Sequence, residues 1–173
     1  KSNNAGGILG GISTGQEIKI SFNTNTSTTS SNFPIGTQVK QGSALGNIIA
    51  QLGPLGSITH QSGTGSGLVP ASGNQTYSGI GLTTITGNGS GATANIQISS
   101  GSVGTLSVTG GGSGYKTGDV LGASFGDTNR NVRFTVGAVS NVNSVILNRV
   151  QGNFDTSRTL KFMNNTGIST NLN

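Results

Sequence analysis

The sequence has no cysteine, no tryptophan, one methionine and three prolines, and only 8% of its 173 residues are charged. Without cysteine, neither a disulfide framework nor a thiolate metal site is available, and the redox compartment is left open. His60 is the single histidine and stands between Thr59 and Gln61, with no acid near it in sequence to orient it. It reads as an exposed strand residue, not as a base or ligand. The four acids, Glu17, Asp119, Asp127 and Asp155, are isolated from one another, so a carboxylate pair of the glycosidase kind would depend entirely on folding. No catalytic residue, cofactor or metal is expected. No apolar run approaches the roughly 18 residues of a membrane span, and no signal peptide is recognisable, so no membrane contact is expected. A start at Lys1 with the only methionine at Met163 suggests a processed product or a segment of a longer polypeptide.

What the chain does contain is 31 glycines and many Ser, Thr, Asn and Gln residues, with 31% apolar residues and 5% aromatics. These polar residues favour turns and strand surfaces over helix interiors. Low charge sets the chain apart from disordered polymers, which carry high net charge. An all-β fold is expected: short antiparallel strands and hairpins in one or two small sandwich- or barrel-like lobes, long Gly/Ser/Thr/Asn loops and almost no helix. Burial per residue should be low, which predicts an elongated or multi-lobed molecule stabilised by neighbours in an assembly.

The formal charge is +5, but the nine basic residues are spread from Lys1 to Lys161 with no two adjacent. A nucleic-acid surface needs clustered Lys and Arg with stacking aromatics, so nucleic acid is not an expected partner. The loosest exception is Arg130, Arg133, Arg149, Arg158 and Lys161, which either face an acidic neighbour or a phosphate, or keep sheet edges from sticking.

Along the chain, residues 1–32 read as a Gly-rich N-terminal arm with one strand, where Ile18, Ile20 and Phe22 alternate onto one face. Residues 33–78 read as a first β lobe and linker, with strands near Thr37–Gln41, Gly46–Leu52 and Ser57–Gln61. The polar segment 62–78 marks a boundary between halves. Residues 79–163 read as a second lobe built on the 93–121 hairpin, and 164–173 as a polar tail. In the hairpin, Ala94–Ser99 and Val103–Thr109 alternate apolar and polar residues around the turn Ser100-Gly101-Ser102. The glycine run Gly110–Gly114 follows, and then Tyr115, which is expected to fold back onto the hairpin. Asn131–Val136 and Val142–Leu147 are also strand-like.

A weak repeat links Phe33-Pro-Ile-Gly36-Thr-Gln-Val39, Tyr115-Lys-Thr-Gly118-Asp-Val-Leu121 and Phe154-Asp-Thr-Ser157-Arg-Thr-Leu160. Physically, the aromatic packs over a sheet, the small residue turns the chain and the aliphatic starts the next strand. Packing or assembly roles are therefore expected for Phe33, Tyr115, Phe134 and Phe154, and for Arg130, Arg133 and Arg149.

The stretch Gly89-Ser90-Gly91-Ala92-Thr93-Ala94, the hairpin, and Gly111-Gly112-Ser113-Gly114-Tyr115 followed by Gly118-Asp119-Val120-Leu121 resembles a glycine-rich module of virion structural proteins. Such modules occur in tail, baseplate and fibre proteins of tailed phages and also in large DNA viruses. The resemblance covers about a fifth of the chain. It implies a non-enzymatic, usually homo-oligomeric building block in a virion, with copies of itself and other virion proteins as partners. An extracellular adhesin or filament subunit is the alternative. Separately, Ser2–Gln16 is similar to a signature loop of chorismate synthase, which implies a flavin-dependent remnant beside an enolpyruvyl-shikimate phosphate site. The chain departs from that family at Asn23–Thr28, where the family has Lys-Pro-Thr, and it supplies His60 alone where the family needs histidines.

Overall fold

The computed structural model describes residues 16–21, 33–65, 67–125, 131–155, 160–163 and 169–172, the last group as backbone. The chorismate synthase-like loop 2–16 lies outside the described residues except for Gln16, as do Phe22, Arg130, Asp127 and Arg158. The described residues form twelve strands and no helix: β1 Ile18–Ser21, β2 Gln38–Gln41, β3 Ala44–Leu52, β4 Leu55–His60, β5 Asn74–Thr84, β6 Ser90–Ser99, β7 Ser102–Ser113, β8 Val120–Ala123, β9 Arg133–Val139, β10 Ser144–Gln151, β11 Leu160–Met163 and β12 Ser169–Leu172. All the described pairings are antiparallel. The all-β expectation is met.

The strands make two six-stranded sheets, in the orders β1-β10-β3-β2-β11-β12 and β4-β9-β8-β5-β6-β7. They correspond to two compact units, one of Leu52–Val142 and one of Lys1–Gln51 with Asn143–Asn173. This division differs from the sequential lobes 33–78 and 79–163 expected from composition. The segment 62–78 is not a linker: Leu68 is buried, Gly65 packs on Val132, and β5 already begins at Asn74. Its polar residues satisfy backbone groups instead. Thr64 donates its hydroxyl to Gln61 O at 2.7 Å and accepts from Arg133 N–H at 3.1 Å. The expected tail 164–173 also carries a strand, since β12 pairs with β11.

In the discontinuous unit, Phe33, Val39, Ile48, Val145, Leu147 and Phe162 are buried. Phe33 meets Phe162 edge-on, with centroids 4.9 Å apart at 71°, a favoured aromatic geometry. Gln41 is buried and reads the backbone of Asp155 twice: it donates to Asp155 O and accepts from Asp155 N–H, both at 2.7 Å.

In the continuous unit, the six-stranded sheet curls until its two end strands approach each other. Gly53 and Tyr115 exchange backbone hydrogen bonds at 3.0 Å, and a Cβ on Gly111 would lie 2.8 Å from Pro54 Cβ. The sheet is thus a nearly closed barrel. Its core holds Ala94, Ile96, Ile98, Tyr115, Leu121, Phe134 and Val136, all fully buried.

Candidate functional site

The three strands β5, β6 and β7 form a continuous meander whose inner face is apolar and whose outer face is made of Ser, Thr, Asn, Gln and Gly. The β6–β7 turn is tighter than expected. Ser99 pairs with Ser102, which leaves only Ser100 and Gly101 at the reversal. Both have positive φ, 47° and 79°, as the hairpin turn matched to strand twist requires.

Bulges set which residues face the core. Val103 is out of phase with Leu106 and Val108 in sequence. An extra residue in β7 opposite the Ile96–Ile98 step brings all three onto the core side. On β5 an extra residue between Tyr77 and Ile80 does the same for that pair. There Gly79 takes φ +63° and its N–H donates to Asn95 Oδ1 at 2.9 Å. What remains outward is Asn74, Thr76, Gly81 and Thr83 on β5, Thr93, Asn95, Gln97 and Ser99 on β6, and Ser102, Thr105, Ser107 and Thr109 on β7. Thr93 and Thr109 hydroxyls hydrogen-bond across the strands at 3.0 Å. No residue between His60 and Lys116 is charged, so this face and its edge carry hydrogen-bonding groups without any ionic group. That gap in the charge pattern was readable in the sequence and is the signal that composition averages conceal.

The face is held from behind by Tyr115. Its ring is fully buried, its hydroxyl oxygen accepts from Ala92 N–H at 3.2 Å, and it lies so close over Gly89 that a Cβ there would meet ring atoms at 2.2–2.5 Å. Gly89 is therefore glycine for reasons of space. After Tyr115 the chain turns at Lys116–Asp119. Asp119 N–H donates to Lys116 O at 3.2 Å, Gly118 has φ +91°, and buried Asp119 accepts from Lys116 N–H at 3.1 Å.

The same device recurs at Phe33. Thr37 N–H donates to Pro34 O at 3.0 Å and Gly36 has φ +88°. Both turns then pair identically with a later strand. Gly36 N–H donates to Ile48 O and Ile48 N–H to Thr37 O, while Gly118 N–H donates to Val136 O and Val136 N–H to Asp119 O, at 2.7–2.9 Å. The burial sequence from aromatic to aliphatic also matches: Phe33, Thr37 and Val39 are buried, as are Tyr115, Asp119 and Leu121. The sequence repeat is thus a structural repeat in two copies, one in each unit. The third echo begins at half-buried Phe154, but residues 156–159 lie outside the described residues.

Of the other residues singled out in the sequence, Phe134 shares the barrel core with Tyr115. Arg133 is half-buried, and its Nη1 would be 3.0 Å from a Cβ on the facing Gly122. Arg149 is exposed with φ +50° and belongs to the other unit, so the loose basic group is divided between units. His60 is half-buried and not the exposed strand residue expected. Its Nε2 lies 2.9 Å from Thr64 O, and its ring is tilted against Phe134 with centroids 6.1 Å apart. It closes the loop that leads out of β4.

No family model, curated protein or solved structure matches this chain.

Proposed function

We propose that the chain is a virion structural protein of the tail, baseplate, fibre or capsid-surface kind, acting through contacts with copies of itself and with other virion proteins and performing no catalysis. The observation that carries this reading is the uncharged outer face and edge of β5-β6-β7. Hydrogen-bonding side chains without ionic groups suit close packing against another protein, because no charge has to be desolvated. The turn that backs this face, from Tyr115 to Leu121, falls within the stretch that resembles virion modules, and its duplication at Phe33 fits a chain assembled from one repeated building block.

A second reading draws on the same face. Hydroxyl and amide groups without charge also suit a neutral glycan, as an adhesin or filament subunit would need. Light scattering of the purified chain across a concentration series tests the first reading, which expects a mass above that of one chain, rising with concentration. A compact monomer at every concentration, together with binding to neutral oligosaccharides, would favour the second.

A further inference from the structure

We infer that the free edge of β7, from Ser102 to Thr109, is a self-association surface at which a second copy of this chain pairs antiparallel with the same strand. Among the described residues, the seam between β4 and β7 is bridged by backbone hydrogen bonds only between Gly53 and Tyr115, beside which Gly111 packs on Pro54 and Leu55. Beyond it β7 is the terminal strand of its sheet, and among the described residues Ser102–Thr109 makes backbone hydrogen bonds to β6 alone. Such a row of unpaired N–H and C=O groups is a template for a further strand.

Three features select a second copy as the occupant. First, the core is incomplete on this side. The β6 residues Ala94, Ile96 and Ile98 are fully buried, whereas the β7 residues facing the same core, Val103, Leu106 and Val108, are only half-buried. An added strand covers them. Second, a two-fold antiparallel pairing sets residue i of one strand against residue j of the other and j against i, so any charge near the middle of the strand would be brought close to its own copy. β7 contains only Ser, Val, Gly, Thr and Leu. Third, the edge lacks the lysine or proline with which sheets block edge pairing.

This pairing presupposes the assembly reading above and names its contact. The test introduces a charge near the middle of the free edge, where a two-fold pairing would bring the charges of the two copies close together. Thr105→Lys and Ser107→Lys both alter exposed positions on β7, with Gln38→Lys, exposed on β2 in the interior of the other sheet, as the control. Association is measured by sedimentation equilibrium, and circular dichroism checks that each variant is folded. Wild type and Gln38→Lys are expected to dimerise alike. The two β7 variants should raise the dissociation constant at least tenfold, and added salt should restore part of the loss by screening. If the β7 variants associate as tightly as wild type, the edge assignment is overturned while the assembly reading stands. If wild type is monomeric throughout, both fall.

Discussion

Gly89→Ala tests whether the contact between Tyr115 and the β5–β6 loop determines the stability of the barrel unit. The added methyl would lie 2.2 Å from Tyr115 Cδ1 and 2.4 Å from Cε1, far inside van der Waals contact. The ring cannot withdraw without cost, because it is fully buried and its hydroxyl is bonded to Ala92 N–H. Gly89 is not among the glycines with positive φ, so the cost is steric and not conformational. Overpacking of this severity belongs at the top of the usual range, about 3 kcal/mol. For a unit the size of Leu52–Val142 that corresponds to a fall in Tm of roughly 12–24 °C. The chain has no tryptophan and two tyrosines, Tyr77 and Tyr115, both in this unit, so tyrosine fluorescence during urea unfolding reports on it alone. Tyr115→Ala should itself cost about 3–5 kcal/mol by removing a buried aromatic. It should also make Gly89→Ala nearly neutral, because the clashing ring is gone, leaving the double variant about 3 kcal/mol more stable than additivity predicts. Additive losses within about 0.5 kcal/mol would refute the contact.

Other outcomes follow from the same structure. Tyr115→Phe removes only the hydroxyl that receives Ala92 N–H and should cost about 1–3 kcal/mol in urea denaturation, with the barrel retained. Gly36→Ala and Gly118→Ala should destabilise their own units by similar amounts, about 1–2 kcal/mol each, because both have positive φ and open space around the missing Cβ; unequal effects on hydrogen-exchange protection would break the equivalence of the two turns. Gln41→Leu should cost about 1–3 kcal/mol, since it removes the two hydrogen bonds that the buried amide makes to the Asp155 backbone. A negligible change in thermal unfolding would show that the strand end tolerates the loss.

Much of the fold was legible because it is written in local pattern. Alternation at Ile18–Ile20, Ala94–Ser99 and Asn131–Val136 marks real strands, and the aromatic-to-aliphatic spacing at Phe33 and Tyr115 marks a real turn. What was not legible depends on long-range pairing. Nothing local indicates that β10 lies between β1 and β3 or that β11 pairs with β2, and these pairings unite the first 51 residues with the last 31 and make the middle an insertion. The segment 62–78 misled because polar composition is shared by linkers and by ordered loops whose hydroxyls bond backbone groups, as Thr64 does. His60 misled in the same way, its partner Thr64 being four residues on in an irregular loop. The candidate face was half legible: the outward hydroxyls follow from alternation, but the bulges that bring Val103 into line with Leu106 do not.

For the proposed virion role the most direct measurement is electron cryomicroscopy of purified virions whose genome encodes this sequence, with the chain sought in the density. Many symmetry-related copies are expected in the particle, neighbouring copies meeting at β7 with the Ser102–Thr109 strands paired. Particles that lack the chain, or that hold it with β7 facing solvent in every copy, would contradict a structural role built on that edge.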